Sequence, residues 1–199
     1  MSRHRLWMLS VASLLVIGTL GLGDKPESVA DEVMQSPPRP EFGRDEAIAA
    51  IEKLGGPCKF DEESPDRPII RVYLTGDRIS DADLEHLKGM TSIQNLGLHN
   101  TQVTDADLEH LKGLISLQVL ALYLPRATDA GLVHLKGLTR LQTLRLYNTQ
   151  VTDAGLEHLK GLTSLRDLHL WNTQVTDDGV KELQEALPNC KARFGTDHF

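Results

Sequence analysis

From residue 69 onward the chain repeats one hydrophobic signature every 24 residues. The five units begin at Ile69, Ile93, Leu117, Leu141 and Leu165, and in each an apolar residue returns three and five positions later. In the fourth, Leu141, Leu144 and Leu146 are followed by NTQVTDAGL and then EHLKGL. Leu144 and Leu146, two apart, place both side chains on one face of a short strand, with Leu141 leading in. Leu156, Leu159 and Leu162 then recur at every third residue, the spacing of a short helix or tight turn, and Gly161 lets the chain leave. The pattern predicts strand, turn, short helix and return, five times over residues 69–188 without insertion. One such unit cannot bury its own apolar face, whereas stacked units share a continuous core.

The flanks read as caps. In RDEAIAAIEKLGG, residues 44 to 56, Ala47, Ile48, Ile51 and Leu54 lie at helical spacing and Gly55 and Gly56 stop the helix, so residues 43–68 are expected to form an N-terminal cap. GVKELQEALPNC closes the last unit, and residues 189–199 form a C-terminal cap or tail in which Arg193 and Phe194 add a final extended segment. Residues 31–42, DEVMQSPPRPEF, are expected to be an unstructured proline-rich linker. Before it, basic MSRHR, apolar LWMLSVASLLVIGTLGL and polar GDKPESVA have the three-part form of an export signal over residues 1–30. Ser28 and Ala30 favour cleavage before Asp31. The alternatives are cleavage after Gly23 and an uncleaved anchor formed by residues 6–22, somewhat shorter than the roughly 20 apolar residues that span a bilayer. The expected location is outside the cytoplasm, periplasmic or extracellular.

The LxxLxL run joined to NTQVTDAGL resembles the leucine-rich repeat family, in its bacterial 24-residue form with a TDAGL segment, similar to the cysteine-containing subclass. The resemblance covers residues 69–188. It implies an α/β solenoid with a parallel sheet on the concave side, short helices on the convex side and a binding role.

Repetition turns single residues into columns. Asp81, Asp105, Asp129, Asp153 and Asp177 share one slot, each after Ser or Thr, where helix capping explains them. Calcium would need more acidic oxygens in the same loop than the flanking Ala, Gly and Thr supply. His86, His110, His134 and His158 form a second column, with Lys88, Lys112, Lys136 and Lys160 two residues on. Parallel imidazoles beside cations do not converge as a zinc site requires, so no metal and no cofactor is expected. Thr101, Thr149 and Thr173 are expected to satisfy turn backbone groups. The third unit departs there, with Leu124 and Pro125 in place of Asn and Thr, as either a tolerated irregularity or a remodelled rim.

On the outward strand face two further columns run Tyr73, Gly97, Ala121, Arg145, His169 and Thr75, His99, Tyr123, Tyr147, Trp171. They hold all three tyrosines and the single tryptophan outside the leader, while the four phenylalanines, Phe42, Phe60, Phe194 and Phe199, lie outside the repeats. One explanation is stacking of strand-favouring rings for stability. The other is a contact surface, since Tyr, Trp and Arg are the residues binding hot spots favour. The candidate ligand-binding set is Tyr73, His99, Tyr123, Arg145, Tyr147, His169 and Trp171, for a protein or peptide.

Composition narrows the partner. The chain carries a net charge of -7, and removing the leader with Arg3, Arg5, Lys25, Asp24 and Glu27 leaves 18 basic against 26 acidic residues, or -8. Nucleic acid is therefore not expected. A carbohydrate stacked on the aromatics, with Arg145 and His169 as polar contacts, is an alternative. An F-box-like ubiquitin-ligase adaptor is another, since the similar subclass occurs in such receptors, but residues 31–68 leave too little chain for the F-box helices. No nucleophile elbow, phosphate loop or HExxH helix points to an enzyme. Cys58 and Cys190 flank the repeats, about five strand spacings or ~20 Å apart, beyond the reach of a disulfide.

Overall fold

A computed structural model describes residues 48, 49, 51–53 and 56–195. The expected export signal, its cleavage sites, the alternative anchor and the linker lie outside the described residues. No helix among the described residues is long and apolar enough to cross a membrane.

Seven strands form one sheet in sequence order: β1 (Cys58–Phe60), β2 (Ile69–Thr75), β3 (Asn95–His99), β4 (Val119–Tyr123), β5 (Thr143–Tyr147), β6 (Asp167–Trp171) and β7 (Lys191–Gly195). From β2 onward all neighbours are parallel with partners 24 residues apart, as in Leu96↔Leu120 and Leu144↔Leu168. The returns carry α1 (Asp81–Glu85), a 3-10 turn (Asp107–Gly113), α2 (Asp129–Leu132), α3 (Asp153–Leu156) and α4 (Asp177–Ala186). The chain is a parallel-sheet solenoid with short helices, as the repeat pattern predicts.

The core follows the columns. Leu74, Leu98, Leu122, Leu146 and Leu170 are buried from the strands, and Leu87, Leu111, Leu135, Leu159 and Leu183 meet them from the helical side. Each such leucine contributes roughly 1.5–3 kcal/mol by leaving water. At the far edge Ala192 and Phe194 of β7 stand in register with Leu168 and Leu170 and pack on the core, so the last extended segment is a sixth parallel strand.

The first edge is closed differently from the helical cap alone. Residues 48, 49 and 51–53 are helical and Ile51 is buried, but β1 also pairs antiparallel with β2 and covers its edge. Gly56 serves that approach: a Cβ there would lie 2.5 Å from the Tyr73 carbonyl oxygen. The short run CKF has no alternation long enough to announce a strand.

The aspartate column requires a correction. Helix capping falls to the hydroxyls, with Thr128 and Thr152 accepting from Ala130 N–H and Ala154 N–H and Thr176 accepting from Gly179 N–H. The aspartates instead clasp successive units. Asp129 accepts the Thr152 N–H at 2.8 Å and its O–H at 2.7 Å, and Asp153 does the same for Thr176. Asp105 accepts both groups of Thr128. The glycine of TDAGL makes room: a Cβ at Gly131 would fall 2.5 Å from Asp105 Oδ1, and Gly155 and Gly179 are crowded likewise by Asp129 and Asp153.

The first two units lack that glycine, with Asp83 and Asp107 in its slot. These carboxylates bond their own Ser80 and Thr104, replacing the clasp with a local one. Asp81, released, accepts from or pairs with His110 Nε2 at 2.7 Å.

The turns after the strands explain the asparagines. Asn100, Asn148 and Asn172 have φ of +49, +51 and +54°, a left-handed conformation Asn tolerates, and Gly76 takes the same slot at +111°. In the third unit Pro125 drives the preceding residue toward extended backbone, and Leu124 is fully buried instead. Of the threonine column, Thr101 accepts from Val103 N–H and Thr173 donates to Leu170 C=O, whereas the buried Thr149 hydroxyl has no partner among the described residues.

Cys58 and Cys190 are free thiols on opposite edges of the sheet. Burial, reinforced by nearby Asp167, pushes the Cys190 thiol up to about 11. At pH 8 iodoacetamide is expected to modify Cys58, which is only partly buried, well before Cys190 in the folded chain, while urea abolishes the difference. Equal rates in the folded chain, read by peptide mass spectrometry, contradict that environment.

Candidate functional site

Strand alternation gives the sheet a face that the core does not use. Its outward positions follow the register Tyr73↔Gly97↔Ala121↔Arg145↔His169↔Arg193, with Thr75↔His99↔Tyr123↔Tyr147 two residues on. All seven candidate residues stand on this open face. Tyr123 and Arg145 are exposed, and Tyr73, His99, Tyr147, His169 and Trp171 are half-buried.

The aromatics do not form one continuous row. The Tyr73 ring lies across Gly97, where a Cβ would come 2.5 Å from its Cδ1. His99 and Tyr123 stack with centroids 6.2 Å apart and planes inclined by 1°. Tyr147 turns instead to His169, edge on at 6.1 Å, and its hydroxyl lies 3.2 Å from His169 Nδ1. Trp171 leans the other way, with Cζ3 3.6 Å from where a Gly195 Cβ would stand. The strands stay together here: Asn148 N–H reaches the Trp171 carbonyl at 3.0 Å, as Asn100 N–H reaches that of Tyr123. Trp171 is thus partly covered by the closing strand rather than fully presented to water.

Electrostatics add a residue that the aromatic columns do not reveal. Burial, then Arg145 and Arg193 on the flanking strands, lowers the His169 pKa from its ordinary value, with Asp167 opposing. His169 is therefore a neutral imidazole near pH 7, in reach of the Tyr147 hydroxyl. Arg193 belongs with the site; the signal that finds it is the 24-residue register continued one step past His169.

Among the described residues no group of three or more His, Cys, Asp or Glu is placed to hold a metal ion. The histidine column lies on the helical side, where His110 engages Asp81 and the buried Nδ1 atoms of His110 and His134 lack partners among the described residues.

No protein-family model and no curated protein matches the chain. Solved structures do. The chain is similar to internalin C2 of Listeria monocytogenes at 23% identity and a TM-score of 0.44, over 56% of this chain and 55% of that one. It is similar to a leucine-rich repeat protein of Leptospira interrogans at 17% identity and a TM-score of 0.47, over 63% and 37%. A third is the leucine-rich repeat ectodomain of the receptor kinase SOBIR1 from Arabidopsis thaliana, at 18% identity and a TM-score of 0.47, over 78% and 92%. The fold is a parallel-sheet solenoid of 24-residue, leucine-bearing units with short helices. The chain spans about half the length of the internalin C2 it matches, and 37% of the Leptospira protein.

Proposed function

We propose that the chain is a non-catalytic interaction module of an exported bacterial protein, holding a protein or peptide on the open face through Tyr73, His99, Tyr123, Arg145, Tyr147, His169 and Trp171. One observation carries this reading: a sheet face unused by the core concentrates every tyrosine of the chain, with Tyr123 39% exposed. Tyrosine and tryptophan supply large contact area with a polar handle, as protein interfaces favour. Mutual pairing of His99 with Tyr123 and of Tyr147 with His169 occupies ring faces a sugar would need, which favours a polypeptide over a carbohydrate.

The test starts from affinity capture in the native envelope, followed by titration with the purified partner. Replacing Tyr123, Tyr147 and Trp171 together by alanine is expected to weaken binding by tenfold or more. Removing both ring pairs costs the fold about 1–3 kcal/mol, so circular dichroism should still show a folded chain. Undiminished binding by the folded triple variant defeats the reading.

A further inference from the structure

The charge of the open face runs against that of the chain. The outward positions of β2 to β7 hold Arg71, Arg145, Lys191 and Arg193 against a single acid, Asp167. Their balance is +3 on a chain of net charge -7. Three of the four cations cluster at the C-terminal end. Arg145 and Arg193 flank His169 in register, one strand to either side, so their Cα atoms stand about 10 Å apart. Both side chains are exposed, and among the described residues neither guanidinium has an ion pair or hydrogen bond.

Resting on the interaction reading above, we propose that this end of the open face docks an acidic polypeptide segment, with a Glu or Asp carboxylate seated between Arg145 and Arg193 over the His169 ring. Two unpaired guanidiniums on the strands on either side can each offer a fork of N–H donors to one carboxylate. The His169 nitrogen not engaged by Tyr147 supplies a further contact. Tyr147 and Trp171, two residues along on the same face, offer apolar surface to the side chains flanking that carboxylate. A long polyphosphate or sulfated polymer needs an extended basic track. Here the track is one end of one face, and the remainder of the molecule repels polyanions.

The proposal is tested with two capped, fluorescein-labelled octapeptides, one alternating Glu and Leu and the other alternating Gln and Leu. Fluorescence anisotropy against the full chain should show saturable binding of the Glu peptide, weakened at least tenfold for the Gln peptide. The double variant R145E/R193E should lose the Glu peptide by tenfold or more, whereas R126E, outside the sheet face, should not. Raising salt from 50 to 300 mM should weaken wild-type binding severalfold. Equal affinity for both peptides, binding of neither, or indifference to R145E/R193E overturns the proposal. Tighter binding of heparin or duplex DNA than of the Glu peptide overturns it in favour of a general polyanion. Self-association abolished by R145E/R193E in sedimentation assigns the face to a second copy and overturns it likewise. Should the captured partner be lost by the aromatic triple variant but kept by R145E/R193E, this inference fails while the interaction reading stands.

Discussion

Replacing Gly155 by alanine is expected to destabilise the chain by about 2–3 kcal/mol, against the usual gain of up to about 1 kcal/mol for Gly→Ala in a helix. The new Cβ would clash with Asp129 Oδ1 and lie 3.1 Å from Val151 Cγ1. The carboxylate must withdraw, and it gives up both bonds to Thr152. Bonds to a charged acceptor are worth roughly 1.5–3 kcal/mol each, so their loss outweighs the helix propensity recovered. A double-mutant cycle separates this cause from any other. In an Asp129→Ala background the clasp is already gone, and Gly155→Ala should then cost close to nothing, a coupling of about 2 kcal/mol by urea denaturation. Additive effects would show that the glycine answers to something besides the neighbouring aspartate.

The second large effect runs against the repeat consensus. Leu124→Asn restores the residue that the second, fourth and fifth units carry, yet it is expected to cost about 3 kcal/mol. Leu124 is fully buried, so the change removes core packing and puts an amide where Pro125 denies it the left-handed turn. The double change Leu124→Asn/Pro125→Thr should recover part of that loss. It reopens the left-handed conformation and sets a new amide beside Asn148, which already accepts from Asn172 Nδ2 at 2.6 Å. A single variant within about 1 kcal/mol of the parent in urea denaturation would mean that the third turn does not depend on its buried leucine.

These two cases also mark where the sequence was legible. Strand positions, buried columns and helical returns follow from apolar spacing alone, because each unit repeats the same solution to one burial problem. The aspartates were visible as a column, but not their targets. A carboxylate that bonds a threonine 23 residues on looks, in one dimension, like one that caps its own helix. Asp83 and Asp107 held the missing clue, since an acid in the glycine slot makes the neighbour's acid redundant. On the open face the aromatic positions were readable by register. Their division into separate groups was not, because it depends on which way each ring leans. Arg193 escaped because the repeat pattern loses its leucines at β7, where Ala192 and Phe194 take over.

The clasp has a direction: Asp105, Asp129 and Asp153 each reach forward to the threonine of the following unit. Cutting the chain after one TDAG and rejoining it 24 residues later would therefore leave each remaining clasping aspartate facing a threonine and a glycine. Duplicating the same segment would do so equally. Either change alters the breadth of the sheet by one strand, about 4.8 Å, and leaves both edges and their closures as they were. The clasped part of the molecule is in that sense a ruler with interchangeable divisions, whose breadth is set by counting.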